Sequence, residues 1–218
     1  ASATESWNGN KGFRPLRLTG QFNGNGHVIS GLHINRPDES NIGLFGTIGL
    51  GGKVKDLAIE DCQIEGKNYV GNLVGWNVGE ISNSYSSGSV SGEIDVGGLI
   101  GINSGGSVLE SYSTGSVVGT FSVGGLVGYS NNSGNIESSY STASVSDSGD
   151  LLGGLIGENW GAVSDCYHTE GSVSGTGKYV GGLVGRNYGT ISKSYNDSSV
   201  EGTNEQYVGG LIGGNNGG

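Results

Sequence analysis

A near-copied string, recurring at almost constant spacing, constrains this chain more than any other feature. VGNLVGWN begins at Val70, VGGLIGIN at Val96, VGGLVGYS at Val123, LGGLIGEN at Leu152, VGGLVGRN at Val180 and VGGLIGGN at Val208, with a shorter IGLFG at Ile42. Successive starts lie 28, 26, 27, 29, 28 and 28 residues apart. A second string follows the full copies: EISNSYSSGSVSG, SVLESYSTGSVVG, NIESSYSTASVS, AVSDCYHTEGSVSG and TISKSYNDSSVEG. A period of this size marks a stack of similar units, none of which can bury its apolar face alone.

Each segment is short, β-branched and punctuated by Gly, Asn or Ser, which reads as strands of about four to six residues with tight corners. No window shows a capped 3.6-residue apolar period, so essentially no helix is expected. The fold class is all-β: a parallel β-solenoid, expected as a right-handed β-helix, of about seven coils with a repeat of about 27 residues. Coils would stack about 4.8 Å apart. Residues 1–41 read as a lead-in or capping coil and residues 42–218 as the repeats, the last of them incomplete.

Stacking turns aligned positions into columns. Three apolar columns are Val70, Val96, Val123, Leu152, Val180, Val208; Leu73, Leu99, Leu126, Leu155, Leu183, Leu211; and Ile81, Val108, Ile136, Val163, Ile191. Val90, Val117, Val145, Val173 and Val200 make a fourth. The 47 glycines then serve corners, where they accept positive φ, and places where backbones approach closely. Asn77, Asn103, Asn159, Asn187 and Asn215 form an amide column with Ser130 as its exception, suited to hydrogen bonding along the axis.

Tyr85, Tyr112, Tyr140, Tyr167 and Tyr195 form a tyrosine ladder beside a small-residue column of Ser84, Ser111, Ser139, Cys166 and Ser194. The ladder points outward if the small column points in, and lines the core if the bend falls differently. It serves as self-packing structure or as a platform for sugar faces. Cys62 lies four coils before Cys166, about 19 Å away by the strand spacing. A disulfide needs Cα atoms within about 7 Å, so two free, buried thiols are expected.

Other columns vary between copies. Trp76, Ile102, Tyr129, Glu158, Arg186 and Gly214 share one; Val78, Ser104, Asn131, Trp160, Tyr188 and Asn216 share another. Variable positions on one face of a repeat array are where such proteins bind, so Trp76, Tyr129, Trp160 and Tyr188 are the candidate contact patch.

The repeated strings resemble the GLUG motif, with its glycine-rich G-L-x-G core, from about Ile42 onward. FNGNGHVISGLHI, Phe22 to Ile34, is similar to the lead-in of such arrays and to a generic first coil. The resemblance implies an extracellular repeat region of a large bacterial or archaeal surface protein, adhesin-like or a non-catalytic part of an IgA-cleaving peptidase. It says little about activity.

Composition narrows the function further. The net charge is −10, with ten Lys and Arg and no basic cluster, so nucleic acid is not an expected partner. No stretch of 18 apolar residues exists, so no membrane span is expected. The absence of Met and the start Ala-Ser-Ala-Thr read as a processed chain or a fragment, and the Ser, Thr, Asn and Gly content as extracellular or cell-surface.

HExxH, GxSxG and P-loop signatures do not occur. His27, His33 and His168 lack metal-ligand spacing. Asp38, Glu39, Asp56, Glu60, Asp61 and Glu65 cluster near the first coils and read as a solvated acidic face, with loose calcium binding second. No catalytic residue, cofactor or metal site is assigned. The leading expectation is a non-enzymatic structural or adhesin β-solenoid: a surface stalk or a building block stacking end to end on its own copies. The alternative is a carbohydrate-binding module that uses exposed aromatic residues on cell-surface glycans or proteins. A carbohydrate-active enzyme and an ice-binding surface rank below these.

Overall fold

The computed structural model describes residues 4–147, 149–203 and 207–217. Residues 1–3 of the expected lead-in and Gly218 of the last repeat lie outside the described residues. The chain is a parallel β-solenoid in which each coil contributes to three sheets. The first sheet holds eight strands, among them Leu16–Leu18, Phe45–Ile48, Val74–Asn77 and Val184–Asn187. The second holds six, from Asn68–Val70 to Tyr207–Gly209, and the third is a composite of 15. The ladder pairings between coils are parallel, and aligned positions pair directly: Val96 with Val70 and Val123, Asn103 with Asn77 and Ser130. Residues 16–36 form a coil of their own, with Gln21–Ser30 and His33–Arg36 paired along Lys53–Gly66. One helical turn, Trp7–Asn10, precedes it, and Asn8 and Gly9 there hold φ of 53° and 69°, outside the right-handed helical region.

The apolar columns are the core. Val70, Val96, Val123, Leu152 and Val180 are fully buried, as are Leu73, Leu99, Leu126, Leu155 and Leu183. A further buried column, Val74, Ile100, Val127, Ile156 and Val184, stands beside the leucines, so both apolar residues of each G-L-V or G-L-I step face inward. At about 1.5–3 kcal/mol for each buried aliphatic side chain, these columns are the main stabilising contribution.

The string VGGLVG forms an arch whose two arms belong to the second and first sheets. Its glycines are present for close approach rather than for positive φ, which none of them adopts. A Cβ on Gly125 would lie 2.1 Å from the Gly154 carbonyl oxygen and 2.3 Å from Ser141 Oγ. A Cβ on Gly128 would lie 2.5 Å from the Asp95 carbonyl carbon, because the first-sheet arm of each coil touches the second-sheet arm of the coil before it. One column of left-handed corners falls to polar residues, Asn83, Glu110, Ser138, Asp165 and Lys193, with φ between 46° and 53°, while glycines such as Gly51, Gly88, Gly105 and Gly115 hold positive φ elsewhere. Asn, Asp and Ser tolerate this region better than most residues.

Polar ladders complete the coil. Asn77 Nδ2 donates to Asn103 Oδ1 at 2.9 Å, Asn159 Nδ2 to Asn187 Oδ1 at 2.8 Å, and Asn187 Nδ2 to Asn215 Oδ1 at 2.9 Å. Asn77, Asn103, Asn159 and Asn187 also close their own corners; Asn159 Oδ1 accepts from the Gly161 N–H at 3.1 Å. Ser130 interrupts the run, and its buried hydroxyl has no hydrogen-bond partner. In the small-residue column, Ser111 Oγ donates to the Leu109 carbonyl at 2.7 Å and accepts the Ser84 N–H at 3.3 Å, so each hydroxyl ties two coils.

Cys166 replaces that serine in its coil and is fully buried. Cys62 stands in a different column, opposite Gly88. Both thiols are free and buried, and burial pushes them up to about 12 for Cys62 and about 11 for Cys166. A thiol so protonated and covered is a poor nucleophile.

Two outcomes follow from this packing. Ser130→Asn should join the two halves of the amide ladder and raise stability by about 1 kcal/mol, whereas Asn159→Ala should lower it by about 1–3 kcal/mol, read by thermal denaturation under circular dichroism. Ellman's reagent should leave both cysteines unmodified in the native protein and titrate two thiols in denaturant; rapid native labelling would contradict the burial.

Candidate functional site

The tyrosine ladder stands on the outside of the third sheet. The serine column before it and Ser86, Ser113, Ser141 and His168 after it point inward and are buried, so the tyrosine between them must point out. Neighbouring rings are 4.6, 4.6, 4.7 and 5.2 Å apart and parallel within 11°. The Tyr85 hydroxyl donates to Glu60 Oε1 at 2.6 Å, which pushes that phenol up to about 12. Stacking occupies both faces of the inner rings, leaving edges and hydroxyls exposed. Sugar recognition by aromatic residues uses the face, so the ladder's geometry suits stiffening of the coil stack more than ligand capture.

The four candidate patch residues divide into three settings. Trp76 packs edge-on against Tyr69 at 5.5 Å. Trp160 stacks on Tyr188 at 4.0 Å, and the Arg186 guanidinium lies 4.6 Å from the Tyr188 ring and 5.0 Å from that of Tyr179. Tyr129 is half-buried, near the carboxyl groups of Asp95 and Glu158. Glu158 links the last two settings, because the Trp160 indole N–H and Arg186 both favour its charged form.

Asp95 is the residue that sequence reasoning missed. It belongs to the column immediately before the apolar ladder: Tyr69, Asp95, Ser122, Leu151, Tyr179 and Tyr207. Arm-to-arm contact sets this column against that of Trp76, Ile102, Tyr129, Glu158 and Arg186, one coil out of step. Gly128 meets the Asp95 backbone, placing Tyr129 beside Asp95; Gly157 meets the Ser122 backbone, placing Glu158 beside Ser122. Asp95 is 9% exposed and Ser122 fully buried, both at positive φ, 54° and 52°. Burial pushes the Asp95 carboxyl up to about 7, with Glu158 adding to the rise and Ser122 opposing it. Ser122 Oγ thus lies close to Asp95, yet it has no aligned hydrogen-bond partner. Burial likewise raises Glu158, against Trp160 and Arg186.

The other polar candidates have ordinary roles. Glu39 pairs with Arg36 at 3.0 Å and Lys11 at 3.4 Å, and Glu60 holds Tyr85, so the acidic residues of the first coils do not converge. His168 is buried, with Nε2 3.0 Å from the Ala143 carbonyl and Nδ1 2.8 Å from Ser198 Oγ. No group of three or more His, Cys, Asp and Glu gathers in metal-binding geometry among the described residues.

A carboxyl raised in the native state binds its proton more tightly there than in the unfolded chain. Its stabilising contribution is complete below about pH 4 and is lost as pH rises through about 7. Asp95→Asn should therefore raise the melting temperature at pH 8 and leave it little changed at pH 4. Equal effects at both pH values would mean that Asp95 does not titrate as its burial requires.

Comparison with known proteins agrees with this architecture. The model of the GLUG motif matches residues 119–146 and 176–201. Halomucin of Haloquadratum walsbyi is 43% identical over 109 residues, covering 46% of this chain and 1% of halomucin. A protein described as a candidate Gly-rich membrane protein of Evansella cellulosilytica is 42% identical over 83 residues, covering 34% of this chain and 10% of that protein. The chain thus spans a small part of the length of either relative. The crystal structure of a candidate immunoglobulin A1 protease from Bacteroides ovatus superposes with a TM-score of 0.56 at 17% identity, covering 97% of this chain and 73% of that one, a likeness of fold. The chain is thus a β-solenoid in which residues 119–146 and 176–201 match the GLUG motif.

Proposed function

We propose that the chain is a non-enzymatic structural segment of an extracellular or cell-surface protein, a stalk or a stackable building block. The observation that carries this reading is the use of chemistry. The polar side chains repeated in every coil, the asparagines, serines and tyrosines, are spent on contacts between coils along the axis. The GLUG match and the similarity to halomucin and to a Gly-rich membrane protein support a surface setting. No helix among the described residues is long and apolar enough to cross a membrane.

Assembly through the coil face is part of the proposal. Every coil pairs with its neighbours in parallel register and repeats the same columns, so stacking of a further copy would continue the same hydrogen bonding.

Small-angle X-ray scattering with light scattering across a concentration series tests this. A rod that lengthens at constant cross-section as concentration rises is the expected result for a building block. A rod of constant length leaves the stalk reading. Release of reducing ends from a panel of polysaccharides would overturn the non-enzymatic assignment.

A further inference from the structure

Asp95 lacks a compensating charge. The groups acting on it are Ser122 and Glu158, and no basic side chain is among them. Tyr129 faces it from the opposing arm, and Arg186, which lies over Tyr179 and Tyr188, acts on Glu158 and not on Asp95. A buried carboxylate beside a second carboxylate is costly unless something positive sits between them. The fully buried Ser122 hydroxyl, unpartnered and next to Asp95, supplies a third oxygen at the same place.

We propose that Asp95, Ser122 and Glu158 form a binding site for one divalent cation of the calcium type. All three donors are oxygens, two of them carboxylates, which is the ligand chemistry of hard cations. The sulfur and imidazole ligands that zinc prefers are absent from the cluster. The donors come from successive coils and both arms of the arch: Asp95 and Ser122 from neighbouring second-sheet strands, Glu158 from the first-sheet strand seated against Ser122. A cation there would pin arm to arm and coil to coil. Three side-chain donors leave water to complete the shell, so the expected affinity is weak, roughly 10⁻⁴–10⁻³ M, the range of extracellular calcium modules.

Tyr129 makes the site observable, because a phenol beside a bound Tb³⁺ sensitises its emission. Protein stripped with EDTA is titrated with Tb³⁺ at pH 8 under tyrosine excitation, and separately melted with and without Ca²⁺. The expected result is saturable emission displaced by Ca²⁺, and a higher melting temperature in Ca²⁺. Asp95→Asn should weaken Tb³⁺ binding at least tenfold and abolish the Ca²⁺ shift, and Glu158→Gln should act in the same direction. Tyr129→Phe should dim the emission while keeping the Ca²⁺ shift. A wild-type protein whose melting responds to pH but not to Ca²⁺ would show that only a proton takes this position and would overturn the proposal. So would a Ca²⁺ shift retained in both carboxylate variants, which would place the cation elsewhere, for example among the acidic residues of the first coils.

Discussion

In-register parallel stacking is the constraint on which everything else rests. When each coil lies on the next with aligned residues paired, every side chain has as its nearest neighbours the side chains of its own column. A column must therefore be compatible with itself at about 4.8 Å. Aliphatics satisfy this by packing, amides and hydroxyls by donating one way and accepting the other, and phenols by stacking. Carboxylates cannot, because like charges repel at that distance. The columns obey this rule: valine, leucine, asparagine, serine and tyrosine repeat, whereas Asp95 stands between Tyr69 and Ser122, and Glu158 between Tyr129 and Arg186.

Charge variation along a column is thus enforced by the stack, and it has a functional side. Positions that must change from coil to coil are also those at which the surface can carry local chemistry. The Asp95 neighbourhood arises there, where two variable columns are brought together by glycines that let the arms touch. The tyrosine ladder shows the opposite case, since perfect repetition directs its rings onto each other.

Much of this was legible before any coordinates. The apolar, amide and tyrosine columns follow from aligning the copies, because a period near 27 residues leaves little freedom in how units stack. Val184 and its equivalents were harder, since G-L-V and G-L-I steps do not say which apolar residue faces in; the arch turns both inward. The role of the VGG glycines was legible only in part. Their small size matters, while one column of left-handed corners falls to Asn83, Glu110 and Lys193, which no glycine signal marks. The pairing of Asp95 with Tyr129 was hidden because the arms meet one coil out of step. That offset is a property of the assembled arch and leaves no trace in the spacing of the copies.

Ser130 breaks the buried amide run, and this has a consequence for how the molecule shares load. Above and below it the corners are welded by continuous side-chain hydrogen bonds, Asn77 to Asn103 on one side and Asn159 through Asn215 on the other. The coil of Val123 is joined there by backbone contacts and by one longer side-chain bond, from Asn131 Nδ2 to Ser104 Oγ at 3.3 Å. Strain applied along the axis is therefore shared unevenly at this corner: where the amide run stops, the backbone, apolar and tyrosine contacts of the Val123 coil take up what the amides carry elsewhere.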